Sequence, residues 1–578
     1  MQLSPSAHVD TFARDHLPPP GEWPRLTFGL PGLDYPDRLN CGAELLDGTL
    51  GRLGGDRRAF TGDGVDWTYE ELRAHVDRIA HVLTDDLGVL PGNRVLLRGP
   101  TTPWLAACWL AVMKAGAVAV TVLAAHRPQE LRTLCDLARV DHALCDARAL
   151  DDLVKADVPG LRVTAYGGEG PDDLLRRAAH HPDRYEAVPT AADDVALIAF
   201  TSGTTGRPKG CAHFHRDVLA IADTFSAHVL RPREDDLFAG SPPLGFTFGL
   251  GGLVVFPLRA GAAAVLEQWN GPGQMLEAVR RHRISVLFTA PTAYRGMLDR
   301  LGTPGTPGTG GTGGTGGTDG DGGEGATDGD GQPYDVSSLR RCVSAGENLP
   351  EGTWHAWHER TGLKLIDGIG ATEMLHIFVS AADDAIRPGR TGVPVPGFEA
   401  RVVAADRVTP VPDGEPGLLA VRGPVGCRYL ADERQREYVH DGWNLTGDTY
   451  VREPDGYFRY VARADDMIIS AGYNIAGPEV ENALLRHPDV LEAAVVGRPD
   501  ARRGQSVVAH VVLRDGTPRG SETADRLREF TAAELTPYKC PREIVFADSL
   551  PRTPTGKLQR FRLRADGAAP GAAPGPAC

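Results

Sequence analysis

Residues 195–200 read VALIAF, and the ten that follow read TSGTTGRPKG. A run with no polar face belongs to a strand buried on both sides, inside a layered structure. The loop after it holds three glycines and four hydroxyl residues. Glycines let backbone N–H groups turn toward an anion, hydroxyls add donors, and Lys209 adds a positive charge. The pattern predicts a strand-to-helix loop that holds a polyphosphate. It is not a Walker A loop, because Arg207 and Pro208 separate Gly206 from Lys209.

Further short apolar runs at 94–98, 117–123, 263–266 and 284–289 alternate with helical patterns from Trp67 onward. That alternation predicts parallel α/β layers. The most apolar stretch, 104–123, is interrupted by Lys114 and Gly116, which predicts a buried helix followed by a strand rather than a membrane span. Turn signals at 411–417 and 453–457 mark a small β-rich region over 386–460. An α+β pattern follows over 466–564. It has helices near 478–486 and 524–535 and strands near 491–496 and 506–513. Residues 1–60 read as a wrapping segment, and residues 302–332 as a disordered insertion with almost nothing apolar to bury. A chain of 578 residues needs more than one core. The expected division is an N-terminal domain over 1–464, built of two α/β layered subdomains plus the β-rich one. A smaller mobile α+β domain over 465–565 and a disordered tail over 566–578 complete it.

The formal net charge of −15 argues against a general binder of nucleic acid or of anionic membranes. Nine cysteines with no CxxC pair read as reduced thiols, and the N-terminus lacks the basic and apolar regions of a signal peptide, so a cytoplasmic enzyme is expected. Only six lysines occur, at 114, 155, 209, 364, 539 and 557. Where arginine is the default cation, a retained lysine gains weight as a compact point charge.

TSGTTGRPKG resembles the phosphate-loop signature of the adenylate-forming superfamily, and further segments match that family in order. GATE (370–373) is similar to the segment whose Thr, here Thr372, meets the α-phosphate and whose Glu, here Glu373, holds Mg²⁺. TGD (446–448) resembles the segment whose Asp448 binds the ribose hydroxyls. RADD (463–466) resembles the ribose-binding Arg463 followed by a hinge at Asp465, and PTGK (554–557) the loop carrying a catalytic Lys557. The resemblance implies an ATP/AMP site of Thr201, Ser202, Gly203, Thr204, Thr205, Gly206, Lys209, Gly346, Glu347, Asp367, Thr372, Asp448, Arg463 and Lys557. It implies two half-reactions. A carboxylate attacks ATP to give acyl-AMP and pyrophosphate. The C-terminal domain then turns about Asp465, exchanging Lys557 for Ala471 and Gly472, and a thiol, coenzyme A, takes the acyl group. Chemistry fits each role: vicinal hydroxyls suit a carboxylate, Mg²⁺ takes few carboxylates plus phosphate oxygens, and lysine neutralises charge developing at phosphorus.

HFHRDVLAIADTF (213–225), FTFGLGGLVVFPL (246–258), SAGENLP (344–350) and DGIGATEMLHIF (367–378) look like the benzoate–CoA ligase group, and most like its 2-aminobenzoate–CoA ligase branch. Carried over by position, the substrate pocket is Thr247, Phe248, Phe256, Ala345, Gly370, His376 and Ile377. Flat aromatic walls beside small residues suit a planar ring. Phe248 and Phe256 also fit a plain core, as do Met374 and Leu375. His213 and His215 read as scaffold, and Arg428 and Tyr429 have no assigned role. Asn348 departs from the small residue expected of this branch. The reading is an aryl-acid–CoA ligase acting on a small aryl carboxylate, best 2-aminobenzoate, with benzoate and salicylate close. ATP, Mg²⁺ and coenzyme A are required, and the protein is a monomer or homodimer with no nucleic-acid or membrane partner. The alternative is a stand-alone aryl-acid adenylating enzyme that loads a carrier-protein phosphopantetheine. FTFG lacks the Asp that amino-acid-activating relatives place there. A degenerate adenylate-binding sensor is opposed by the presence of Lys209, Glu373, Asp448, Arg463 and Lys557 together.

Overall fold

A computed structural model describes residues 3–201, 208–301, 334–470, 473–500, 503–553 and 558–565. Ser202, Gly203, Thr204, Thr205, Gly206, Ala471, Gly472 and Lys557 lie outside the described residues, as do the 302–332 insertion and the tail. The molecule is a mixed α/β protein with a large N-terminal domain and a smaller C-terminal one.

Among the described residues the strands form four sheets. The apolar run extends into strand Val195–Thr201, an inner member of a six-stranded sheet. Its parallel neighbour is Val118–Thr121, which pairs in turn with Arg94–Arg98. Helix Pro103–Lys114 precedes Val118–Thr121 and is buried over nearly its whole length, as the 104–123 stretch predicts. Lys114 is itself buried, its Nζ on Asp77 at 2.5 Å and on Asp47 at 2.8 Å. Such a cation is tolerable in a core only when paired. A second, nine-stranded sheet includes Val286–Thr289, Arg341–Ala345 and Leu365–Gly370 in parallel, then the antiparallel Ile377–Ser380.

The β-rich region is an antiparallel sheet of Glu399–Val403, Pro416–Arg422, Trp443–Arg452 and Phe458–Arg463, with the short Val439–His440. The last part of the chain packs helices Gly477–Leu484 and Ser521–Glu534 on a separate sheet built around Val490–Asp500 and Gly504–Leu513. The N-terminal segment does wrap: its backbone at Ser4, Arg25 and Thr27 bonds to Asp193, Gly442 and Gly423, each remote in sequence. Among the described residues no helix is long and apolar enough to cross a membrane.

One local expectation is corrected. Residues 201–210 do not join a strand to a helix. Thr201 pairs with Lys209, and Lys209–Phe214 runs antiparallel to Val195–Thr201; a helix begins only at His215. The period-two alternation of Lys209, Cys211 and His213 with Gly210, Ala212 and Phe214 is a strand pattern, and it overrides the habit of phosphate loops to open a helix.

Candidate functional site

The strand Lys209–Phe214 carries one wall. It is bridged at Cys211 to Tyr429, with Ala212 N–H donating to the Arg428 carbonyl and Leu430 N–H to that of Gly210, each at 2.8 Å. Lys209, Cys211 and Tyr429 thereby share a face. Lys209 Nζ donates to Tyr429 Oη at 2.8 Å, and Tyr429 Oη donates to Glu373 Oε1 at 2.5 Å. Lys209 Nζ itself stands 3.8 Å from Glu373 Oε1 and lies over the Tyr429 ring. A cation, a phenol and a carboxylate are thus wired in series where TSGTTGRPKG and GATE meet. Tyr429, left unassigned by sequence, is the link. Burial comes first in pushing its phenol far up, with the Glu373 charge next, so it remains a donor at any ordinary pH.

His213 stands next on that strand. Its Nε2 donates to the Thr372 carbonyl at 2.8 Å, which fixes the backbone of GATE. Burial opposes charge on this imidazole, but Cys211 and Asp217 beside it raise its pKa to about 9. Asp217 pairs with Arg428 at 2.8 Å with both side chains fully enclosed. Burial works against that carboxylate, yet Arg428 and His213 hold it well below the usual range. His213 is scaffold, as expected, but scaffold that touches the site. His215 is buried away from it, its pKa pushed down to about 3 by burial.

On the side of the β-rich sheet, Asp448 and Arg463 are register partners, with Nη1 and Oδ1 3.2 Å apart. Gly447 turns at φ 76°, and a Cβ there would meet the Arg463 guanidinium at 3.0 Å. Ala464–Asp466 forms a 3₁₀ turn immediately after. Gly346 turns at φ 94° and Glu347 follows it. Burial raises the Glu347 pKa while Arg552 opposes the rise, its Nη1 2.7 Å from the carboxylate. Arg552 also holds Glu492 at 2.6 Å and forms a β-bridge with Leu558. The chain on both flanks of the 554–557 segment is therefore fastened beside Glu347. Asp367 Oδ1 is enclosed without a partner, and burial pushes this carboxyl up to about 8. Asn348 lines a small cavity with Asp367, Arg387 and Arg390.

The aromatic group centres on His376. Phe256 meets its ring edge-on at 4.5 Å between centroids, and Phe225, Phe248 and Phe288 surround it at 5.4, 5.5 and 6.3 Å. Phe225 closes the segment HFHRDVLAIADTF and Phe288 lies in the apolar run 284–289, but neither is assigned to the pocket by sequence, and their place beside His376 is visible only once the chain is folded. Neither ring nitrogen of His376 makes a well-formed hydrogen bond. Burial drives its pKa down to about 3, with only the Phe248 backbone favouring the charged form. The imidazole is neutral, polar and enclosed by phenyl rings.

Three features put it there. Thr247–Leu250, Gly251–Val255 and Phe256–Ala260 run as one helix whose middle is a π turn, and this brings Thr247, Phe248 and Phe256 to the same region. Gly251 is required by contact, since a Cβ there would lie 2.4 Å from the His376 ring. Leu375 sits at φ 64°, ψ −34°, with the His376 N–H donating to the Met374 carbonyl at 2.8 Å. That is a positive-φ γ-turn, a rare and strained form. Thr247, Ala345 and Ile377 are buried. Gly370 is partnered to Ile377, and a Cβ on it would strike the His376 carbonyl at 2.9 Å. Met374 and Leu375 are core, as expected.

Residues 50–429 match the family model for the AMP-binding enzyme, and residues 479–557 that for the AMP-binding enzyme C-terminal domain. The benzoate–CoA ligase of Thauera aromatica is 34% identical over 92% of this chain and 97% of its own. The 3-hydroxybenzoate–CoA ligase of Aromatoleum sp. (strain CIB) is 33% identical over 92% and 98%. Among solved structures, the anthranilate CoA ligase AuaEII in complex with anthranoyl-AMP superposes with a TM-score of 0.83 at 30% identity, covering 92% of this chain and 98% of that one.

Proposed function

The chain belongs to the AMP-binding enzyme family and is an AMP-forming acid–thiol ligase of its benzoate–CoA ligase group, and we propose that its acid is a benzoate bearing an ortho amino or hydroxyl group, 2-aminobenzoate foremost. The observation that carries the reading is His376, a buried neutral imidazole with no well-formed hydrogen bond, among four phenyl rings. Phenyl walls favour a flat ring, and a buried imidazole with only the Phe248 backbone nearby and no well-formed hydrogen bond costs up to about 1–3 kcal/mol until something bonds to it. An ortho substituent on the bound ring supplies that bond, with Thr247 as the second polar group at hand.

Adenylation proceeds by attack of the carboxylate on the α-phosphorus of ATP, releasing pyrophosphate. Thr201, Lys209 and the glycines and hydroxyls at 202–206 hold the phosphates. Thr372 meets the α-phosphate, while Asp448 and Arg463 hold the ribose. Gly346, Glu347 and Asp367 border the adenine. The protonated form of Asp367 favoured by its burial is a donor rather than a charge. Glu373, one carboxylate already oriented by Tyr429, fits Mg²⁺, which takes hard oxygen ligands and fills its shell with phosphate oxygens and water. The ion, when bound, offsets charge on the leaving pyrophosphate. Lys557 neutralises charge developing at the α-phosphate. Residues 465–565 then turn about Asp465, bringing Ala471 and Gly472 to the adenylate, where the thiol of coenzyme A attacks the acyl carbonyl and AMP leaves.

The purified enzyme given ATP, Mg²⁺ and either free coenzyme A or a holo carrier protein tests the acceptor, with products read by mass spectrometry. Aryl-CoA is expected, and preferential loading of the carrier would favour the alternative enzyme. Benzoate, 2-aminobenzoate and salicylate compared in the same assay test the acid. Equal efficiency on all three, unchanged by Thr247→Ala, contradicts the ortho reading.

A further inference from the structure

Earlier in the chain than every site residue assigned above, His81, Asp85 and His181 form a cluster whose ligating atoms, one from each residue, all lie within 4.8 Å of one another. His81 ends helix Tyr69–His81, which continues as a π turn over Val82–Asp86. His181 follows helix Leu174–Ala178. The two imidazoles are stacked, 5.8 Å apart and within 4° of parallel.

The hydrogen bonds here do not close with neutral groups. His81 Nε2 lies 2.9 Å from the Arg184 carbonyl, which can only accept, so the N–H is on Nε2. That leaves the Nδ1 lone pair aimed at the Asp85 carboxylate 2.8 Å away, another acceptor. Something positive belongs between them, either a second proton or a metal ion. An imidazole whose far nitrogen donates to a backbone carbonyl is how metal-bound histidines are commonly oriented. His181 is held the same way: its Nε2 stands 3.2 Å from Asp86, which Arg177 also holds. Two acidic neighbours thus serve the two histidines, one inside the cluster and one behind it.

We propose that His81, Asp85 and His181 bind a divalent transition metal of the Zn²⁺ type, fastening the end of the 69–86 helical segment to the connection that follows residue 178. Two imidazole nitrogens and one carboxylate oxygen select Zn²⁺ and its neighbours over Mg²⁺. Zn²⁺ forms bonds of about 2.0–2.2 Å to such atoms, so the three ligand atoms, within 4.8 Å of one another, must draw closer around the ion. Asp85 is 54% exposed, so water completes the coordination.

The test is titration calorimetry of chelator-stripped full-length protein with Zn²⁺ alone, repeated with Mg²⁺. One Zn²⁺ per chain is expected, with no comparable Mg²⁺ binding. H81Q and H181Q are expected to abolish it, and H180Q, at the neighbouring histidine, to leave it intact. D86N, behind His181, is expected to weaken binding about tenfold. Saturating Zn²⁺ is expected to raise the thermal midpoint of the wild type and of H180Q but not of H181Q, which also reports whether each variant is folded. Absence of Zn²⁺ binding by the wild type, or binding equal in the wild type, H81Q and H181Q, overturns the proposal and leaves a protonated His81–Asp85 pair.

Discussion

At Glu373 the carboxylate receives a proton donor from Tyr429, which in turn receives one from Lys209. Three residues later, at His376, the ring has four phenyl neighbours and no well-formed hydrogen bond. The first region is organised before anything binds, and under the function proposed above it gains from holding charges where phosphates come to rest. The second leaves a polar group unmatched inside an apolar shell. That is destabilising in the free protein, and it becomes selective only when a ligand supplies the missing partner. Preorganised wiring and a withheld bond stand side by side, joined by the strained turn at Leu375.

Removing the proposed catalytic lysine or breaking the wired region should cost most. Lys557→Ala is expected to reduce acid-dependent pyrophosphate release by about 10²–10³-fold, the usual loss when one group that stabilises developing charge is removed. Release at the full wild-type rate would remove Lys557 from the mechanism. Tyr429→Phe deletes the link between Lys209 and Glu373 while keeping the ring. A hydrogen bond between charged or ionisable partners is worth about 1.5–3 kcal/mol, so kcat/KM is expected to fall about 10- to 100-fold. An unchanged value would mean that the series is structural only.

The aromatic region should respond in specificity rather than rate. His376→Phe keeps the volume and removes the polar edge. The preference for 2-aminobenzoate over benzoate is expected to drop by about tenfold, with benzoate turnover nearly kept. A parallel loss on both acids would make His376 a packing residue.

The smallest effect is on stability against pH. The folded protein holds His376 neutral down to about 3, whereas an unfolded histidine takes up a proton below about 6.5. Between those values the unfolded chain binds the extra proton, so stability falls as pH falls. His376 contributes a slope of about 1.4 kcal/mol per pH unit. Urea unfolding at pH 7, 6 and 5 should give a shallower decline for His376→Phe than for the wild type. His215, held down to about 3 in the same way, keeps its own share of the slope in both proteins.

The legibility of these two regions in the sequence differs for the same physical reason. Phosphate, ribose and metal contacts need particular residue types within short segments, so TSGTTGRPKG, GATE, TGD and RADD can be read without a fold. The strand runs were legible from apolar continuity alone: 94–98 and 195–200 each lie within a strand. Tyr429 was not legible, because its role depends on a bridge to Cys211 that only folding makes. Phe225 and Phe288 were not legible either, since one lies in a helical segment and the other in a strand, and each looks like ordinary core. The strand at Lys209–Phe214 did leave a signal, its period of two, which the loop motif obscured.

The most direct test of the contrast is ATP–pyrophosphate exchange by the wild-type enzyme with 2-aminobenzoate, benzoate and acetate at equal concentrations. The account predicts the fastest exchange with 2-aminobenzoate, slower exchange with benzoate, and background with acetate. Exchange with acetate as fast as with the aryl acids would contradict an aromatic pocket. Equal rates with the two aryl acids would contradict the role given to His376.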